Sequence, residues 1–452
     1  MGSRERQITL TIARRLAGAL PAARFGLAPG RVRRAAWARA LRRSFEDLGP
    51  AFVKLGQLIS VRPDEFSDEL VAEMESLQDS VPPLPAAAIR EVIQAEFGAD
   101  ADALWDGFDD ESVASASIAQ VHRARLREAY RPVWGDVLPA GADVAVKVVR
   151  PGAEATVRGD LAIARRMAEG LVRRRLVRRV DPVALLDEFA ESLDRELDLR
   201  REGRFSDRFR FDFRDDARVT SPRVVWSRTT ARVLTMEFVE GWRLSEIDAA
   251  RAAGVDCFAL AVHGATAFMR QVFVYGRYHA DLHPANLFVT PEGRIAYLDF
   301  GIVGYLTPAE RVNITQVMAA LVYRDAERAL RYSDALGVHV PADRVEAVRS
   351  GLGRLLDGTT RADGTRDFAH FGLGFLRLLG ANGVAVPSGY GLLIKSLATV
   401  EGVARALYPE IDIVDTARPF TTRVLGAAMG DPARLRERLP AALRAALREL
   451  TA

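Results

Sequence analysis

Cysteine is almost absent from this chain. Cys257 stands alone, which excludes an internal disulfide framework and a cysteine-rich metal site. Histidine is scarce as well, and none of the six falls in an HExxH-type spacing. Neither sign of charge dominates: 63 basic residues face 60 acidic ones, net +3, so no nucleic-acid partner is expected. No run of 18 apolar residues occurs, so no transmembrane helix is expected. The N-terminus has no apolar stretch of the signal-peptide kind. Together these point to a cytoplasmic protein, at most peripheral on the cytoplasmic membrane face. Lysine is the most telling shortage. Only Lys54, Lys147 and Lys395 occur, against 60 arginines. A compositional drift that replaces lysine by arginine would spare sites where a compact ammonium makes a point contact that the broad guanidinium fork cannot. The three survivors are therefore candidates for function before any motif is read.

What is present is an ordinary globular balance, 49% apolar and 27% charged over 452 residues, enough for two to four structural units. Residues 1–45 are Arg-rich and helical in pattern. Arg14, Arg15, Arg24, Arg31, Arg33 and Arg34 alternate with apolar residues, which suits an anionic membrane surface or a solvated helix packed on the domain. Residues 46–110 read as helices, with Phe52, Leu55, Leu58 and Ile59 at helical spacing, a start at Ser67, and a rigid break from Val81 to Pro85. Residues 111–240 are richer in strands. Val144, Val146 and Val148 alternate with Ala145, Lys147 and Val149, and further strands are predicted at 224–226 and 233–236, around a long helical stretch at 154–212 that restarts at Pro182. From 241 to 452 the pattern is helical, broken by one hairpin at 286–299, with an amphipathic tail at Pro432–Leu450.

The chemistry concentrates in two places. His279-Ala280-Asp281-Leu282-His283-Pro284-Ala285-Asn286 precedes a strand–turn–strand, and Asp299-Phe300-Gly301 follows it. Pro284 argues for a loop, and Thr290-Pro291-Glu292-Gly293 for the turn. Folding the hairpin places Asn286 opposite Tyr297 and brings Asp299 to the same end. Asn286 and Asp299 are then hard oxygen donors of the kind that hold Mg²⁺ on phosphate oxygens. Asp281 is the candidate to orient an attacking hydroxyl or water. Upstream, Val144-Ala145-Val146-Lys147 has the form of a kinase strand lysine that reaches the nucleotide phosphates. Met236 to Gly241 ends a strand ahead of a helical region, as a hinge would, and the backbone at Glu237 and Val239 is the candidate adenine contact. The glycine-rich loop expected of a kinase is missing. Ala114, Ser115, Ala116 and Ser117 stand there instead, offering backbone N–H groups and two hydroxyls but not glycine's positive φ.

With Lys54-Leu55-Gly56-Gln57, the alanine-rich loop from Ala114 to Gln120, Glu196-Leu197-Asp198 and the Asp281/Asn286/Asp299 set in this order, the chain resembles the UbiB/AarF family of atypical protein-kinase-like proteins from about residue 46 to about 420. The resemblance implies an α+β, two-lobed kinase-like fold, with an N-terminal helical extension and a mainly helical C-terminal lobe. It implies that the helix bearing Lys54 and Gln57 lies over the nucleotide cleft and meets Glu196 and Asp198, and that Lys147 pairs with a helix glutamate, for which Glu202 is the choice. Read without that guide, Glu188, Glu191, Glu196 and Glu202 are equivalent partners. The cofactors implied are ATP or ADP with Mg²⁺, and the role is support of isoprenoid quinone biosynthesis, with an isoprenoid lipid or quinone precursor as partner.

Only a few residues separate Gly301 from Leu306-Thr307-Pro308-Ala309-Glu310, which reads as a new helix start. A protein kinase carries roughly 20–30 residues between the corresponding points, including its phosphosite segment. A protein substrate is therefore not expected, and ATP hydrolysis or transfer to a small molecule or lipid is. Two other readings compete. One is a small-molecule phosphotransferase of the aminoglycoside or choline kinase type, against which the Lys54–Gln57 prefix speaks. The other is a non-catalytic scaffold that binds nucleotide or isoprenoid, against which the intact Lys147, Asp281, Asn286 and Asp299 speak.

Overall fold

The computed structural model describes residues 2–24, 30–77, 81–133, 135–175, 181–361 and 364–429. The amphipathic tail expected at Pro432–Leu450 lies outside them. The chain divides into two compact units, Met1–Ala253 with His283–Ile302, and Gly254–Leu282 with Val303–Ala452.

The first unit opens with helices Ser3–Arg24 (α1), Gly30–Leu48 (α2), Pro50–Ser60 (α3), Asp68–Glu75 (α4), Ala86–Phe97 (α5) and Ala101–Leu104 (α6). Their starts follow from local chemistry. Pro50 occupies the first turn of α3, where its missing N–H costs nothing, and the Ser67 hydroxyl accepts from Leu70 N to cap α4. Between α4 and α5, residues 81–85 form no regular element, as their prolines dictate.

The strands that follow are Trp105–Asp106 (β1), Ser112–Ser115 (β2), Ala119–Leu126 (β3), Asp143–Val149 (β4), Val219–Thr220 (β5), Val233–Glu237 (β6), Trp242–Arg243 (β7), Arg277–His279 (β8), Leu287–Val289 (β9), Ile295–Tyr297 (β10) and Val303–Tyr305 (β11). An antiparallel sheet runs β1-β3-β4-β6, with β2 also on β3. Its two faces meet two separate apolar cores, because successive side chains point to opposite sides. Val144, Val146 and Val148 pack with Ile89, Val92 and Trp105, while Val149 and Leu234 join the core built by α1, α3 and the long helices. The predicted strand at 224–226 does not form. Val224 makes a single bridge to Met236, and Trp226–Arg228 coils into one 3₁₀ turn that frees Val225 N to bond Thr235 O.

Helices Ala153–Arg173 (α7), Pro182–Glu196 (α8) and Leu199–Asp212 (α9) fill the predicted helical stretch. Asp181 caps the N–H groups of Val183 and Ala184, and Asp198 caps Arg200, which is why the pattern breaks where it does. A short helix, Ile247–Ala252 (α10), follows β7. A second small sheet, β5-β10-β9-β7, belongs to the same unit. Gly241 leads into β7 at φ +151°, and a Cβ there would sit 2.3 Å from Val289 O, so only glycine permits that approach.

The Arg-rich N-terminal helix is packed on its unit. Ile8 is fully buried, and Arg4 grips the buried Asp160 through Nε (2.7 Å) and Nη2 (2.6 Å). Arg15 pairs with Asp47 and Arg34 with Glu69. Leu10, Val32 and Trp37 remain exposed.

The second unit holds helices Cys257–Met269 (α11), Pro308–Tyr323 (α12), Ala326–Asp334 (α13), Val345–Gly358 (α14), Phe368–Ala381 (α15), Ser388–Leu407 (α16) and Ile413–Met429 (α17). Thr307 and Glu310 form a reciprocal capping box, with Pro308 in the first turn, that starts α12 where expected. The region is not interrupted by one hairpin alone, because β8 and β11 pair antiparallel as well. By length and composition one helix among the described residues, Cys257–Tyr275, could cross a membrane, but 56% of its apolar window is buried in the protein.

Candidate functional site

Lys147 sits on β4, on the face opposite Val146 and Val148. Its ammonium donates to both carboxylate oxygens of Glu202, each at 2.8 Å, and lies 3.3 Å from Asp299 Oδ1. Glu202 reaches it from the first turn of α9, whose start Asp198 fixes. Asp299 reaches it from the end of β10, so a strand, a helix and a hairpin of one unit converge on a single nitrogen. Burial works against the ammonium, but Asp299 and Glu202 outweigh it and hold its pKa above that of ordinary lysine. Burial pushes the Glu202 carboxyl up to about 7 despite the attraction of Lys147, and Asp299 and Glu196 push in the same direction.

Asp299 is held in an uncommon backbone conformation, φ +54°, which aspartate tolerates better than most residues. Its neighbours account for it. Phe300 is buried and packs on Phe209 at 5.3 Å, and Phe209 also meets Tyr297 and Phe213, both at 4.7 Å. The apolar anchor on either side of Asp299 leaves its carboxylate half-exposed. Gly301 keeps that space clear, since a Cβ there would lie 3.3 Å from Asp299 Oδ1.

The hairpin register differs by one residue from the expectation. Leu287, not Asn286, stands opposite Tyr297, and the Asn286 carbonyl accepts from Leu298 N at 2.9 Å. The turn sets this register: Thr290 N bonds Arg294 O at 2.9 Å, so three residues, Pro291 to Gly293, make the loop where the expected pairing needs two. Asn286 is half-buried at the same end of the hairpin that leads to Asp299. Asp281 lies in the second unit, just after β8, where its N–H bonds His279 Nδ1 at 3.2 Å and its side chain is exposed.

Lys54, on α3, pairs with Glu196 at 2.7 Å, both largely buried. Gln57, one turn on, is half-buried. Asp198 caps α9, and the Arg200 guanidinium holds it at 2.8 and 3.0 Å, which draws its pKa down. This local task is one the sequence reading did not assign to it.

In the alanine-rich loop, Ala114 and Ser115 belong to β2, while Ala116 and Ser117 make the turn, with Ala116 N on Ala119 O. The Ser115 hydroxyl accepts from a side chain the sequence did not point to, and keeps its own O–H as a donor. Arg150 donates to it at 2.6 Å and to Pro82 O at 2.6 Å. Ser117 is buried and its Oγ has no hydrogen-bond partner. At the predicted hinge, Glu237 N already donates to Arg223 O (2.8 Å) and Phe238 N to Asp143 O (3.1 Å). Arg223 also clasps the Glu237 carboxylate. The N–H of Glu237 is therefore spent within the sheet. Arg150 and Arg223, which organise these two segments, carry no motif among sixty arginines and were not identifiable from the sequence.

The donors suit a hard divalent cation. Among the described residues no group of three or more His, Cys, Asp or Glu is arranged to hold a metal. Asn286 and Asp299 would supply two protein oxygens, a number that suits Mg²⁺ where phosphates and water complete its shell.

Residues 76–333 match the family model described as the ABC1 atypical kinase-like domain. The chain is 34% identical over 387 residues to "Probable protein kinase UbiB" of Marinobacter nauticus, covering 84% of this chain and 68% of that protein. It is 32% identical over 401 residues to "Uncharacterized protein sll1770" of Synechocystis sp., covering 88% of this chain and 66% of that protein. It thus spans about two thirds of the length of each. Among solved structures, the complex of Rv3197 with erythromycin from Mycobacterium tuberculosis superposes with a TM-score of 0.47 at 24% identity, over 78% of this chain and 90% of that one.

Proposed function

The chain belongs to the ABC1 atypical kinase-like family, and from that premise we propose that it binds ATP or ADP with Mg²⁺ and either hydrolyses ATP or transfers its phosphoryl group to an acceptor other than a protein. The observation that carries this reading is the Lys147 ammonium bonded by both Glu202 oxygens with Asp299 at 3.3 Å. A lysine so fixed presents a compact positive charge to the phosphates and cannot swing away from them. Asp299 and Asn286 would hold the metal, which when bound neutralises phosphate charge. Asp281, five residues ahead of Asn286, is the residue we assign to orienting the acceptor. In this reading the alanine-rich turn stands over the phosphates in place of a glycine loop, with the Ala116 N–H already bonded to Ala119 O. In the same reading the acceptor or partner is an isoprenoid lipid or quinone precursor, and the exposed Leu10, Val32 and Trp37 among the N-terminal arginines favour a peripheral anionic membrane surface.

Calorimetric titration of Mg-ATP and Mg-ADP tests it, with phosphate release measured with and without anionic liposomes. Asp299→Asn should lose at least tenfold in Mg²⁺-dependent affinity, on the order of one lost anionic contact to a divalent ion. Asp281→Asn should bind nucleotide normally and turn over about a hundredfold more slowly. Undiminished Mg-ATP affinity in Asp299→Asn would remove the metal assignment.

A further inference from the structure

Two ion pairs join α3 and the turn that follows it to α8, and only one of them involves the Lys54 signature. Lys54 meets Glu196 at 2.7 Å. Eight residues later, Arg62 Nη1 meets Glu188 Oε2 at 3.5 Å. Glu188 and Glu196 are themselves eight residues apart on α8, about 12 Å along a helix. Lys54 takes the later glutamate and Arg62 the earlier, so the two segments run antiparallel and are pinned at both ends. Between the pins lies an apolar seam, with Leu55 and Ile59 on one side and Phe189 and Leu193 on the other, all in one core.

Arg62 is not a surface cation. It is 6% exposed. Its Nε and Nη2 hold Asp64 at 3.2 and 3.1 Å, and Nη2 also bonds Glu65. Its carbonyl accepts from Glu65 N and Phe66 N, closing the turn that ends α3. Asp64, Glu65 and Glu188 thus share one buried guanidinium, so the turn and α8 compete for a single positive charge. Burial and the neighbouring carboxylates push the Glu65 carboxyl up, against the attraction of Arg62. The other end of α8 is close to the nucleotide-binding candidates. Glu196 is the last residue of α8, its charge is felt by Glu202, and only Leu197 and Asp198 separate α8 from α9.

We infer that Arg62 is a positioning residue: it is the second pin of a clasp that seats Lys54 on Glu196 and, through α8, sets where α9 offers Glu202 to Lys147. The consequence for nucleotide rests on the reading proposed above; the seating of Lys54 does not.

The scarcity of lysine makes this measurable without any activity. Amine labelling of the full chain reports on Lys54, Lys147 and Lys395 alone, apart from the N-terminus, and Lys395, in the other unit, serves as reference. Glu188→Gln removes the α8 side of the second pin and leaves the turn around Arg62 intact, so it keeps the fold even where Arg62→Gln does not. In Glu188→Gln the labelling rate of Lys54 relative to Lys395 should rise roughly fivefold, the scale of one partly exposed ion pair. Glu188→Asp, which keeps the carboxylate, should restore most of the protection. Mg-ADP affinity should fall in step with Lys54 labelling across the three variants. An unchanged Lys54 rate in Glu188→Gln overturns the clasp, and Lys54 release with unchanged nucleotide affinity overturns its link to Glu202. A wild-type chain that binds no nucleotide would sink the proposed function and leave the labelling result to decide the clasp.

Discussion

Three carboxylate oxygens around one ammonium give Lys147 a role that arginine could not fill. The Glu202 oxygens lie at equal distances from a single nitrogen, which a planar fork would split. Lys147→Met should leave Glu202 buried without a counter-ion, at a cost of about 3 kcal/mol in stability near pH 8. The sign of the pH dependence follows from the raised Glu202 pKa, about 7 against an ordinary 4.5. A carboxyl that keeps its proton more tightly in the fold favours the fold at low pH and loses that contribution as pH rises through 7. Lys147 draws that pKa down, so without it the Glu202 carboxyl rises further, the variant gains more than the wild type as pH falls, and the deficit of Lys147→Met should shrink between pH 8 and pH 6. Urea midpoints at the two values check this, and a deficit independent of pH would show that Glu202 is not the group left uncompensated.

At the scale of elements, the β3 strand and the extended segment at 81–85 are tied by a buried polar chain. Gln120 accepts from Leu84 N (2.8 Å) and donates to Leu84 O (3.2 Å). Its amide also faces His122 Nε2 at 3.0 Å, while His122 Nδ1 meets Asp109 O at 2.7 Å. An imidazole that donates from Nδ1 and accepts at Nε2 satisfies both contacts, and this requires the neutral ring. Burial, opposed by the Asp109 contact, lowers the His122 pKa from 6.5. The unfolded chain then takes up a proton that the fold resists, so stability should drop as pH falls below 6.5. A shallower urea-midpoint change from pH 7.5 to 5 in His122→Gln would confirm the source. An identical slope in both proteins would place it elsewhere.

For the molecule as a whole, contacts between distant parts of the chain decide how the N-terminal helices are held. Arg4 and Asp160 are 156 residues apart, and Asp160 is 3% exposed. Arg4→Ala should strand that carboxylate and cost about 2 kcal/mol, as loss of a part-buried hydrogen bond between charged groups does. Thermal unfolding reads the loss, and Asp160→Asn in the same background should recover part of it. Full stability in Arg4→Ala would mean that the helix is held without the Arg4–Asp160 pair.

Much of this was legible locally. Pro50, Ser67, Asp181 with Pro182, and Thr307 with Glu310 mark helix starts through side-chain chemistry that acts within four residues, so the sequence alone determined them. The scarcity of lysine marked Lys54 and Lys147, and the period-two valines set which face Lys147 takes. What tertiary structure decided was partnership. Glu188, Glu191, Glu196 and Glu202 are alike in sequence, yet Lys147 takes Glu202, Lys54 takes Glu196, and Arg62 takes Glu188. The capture of Ser115 by Arg150 and the left-handed Asp299 were equally out of reach. Each depends on where a second, sequence-distant segment brings its charge or bulk, and electrostatic pairing across such distances leaves no periodic mark on the chain.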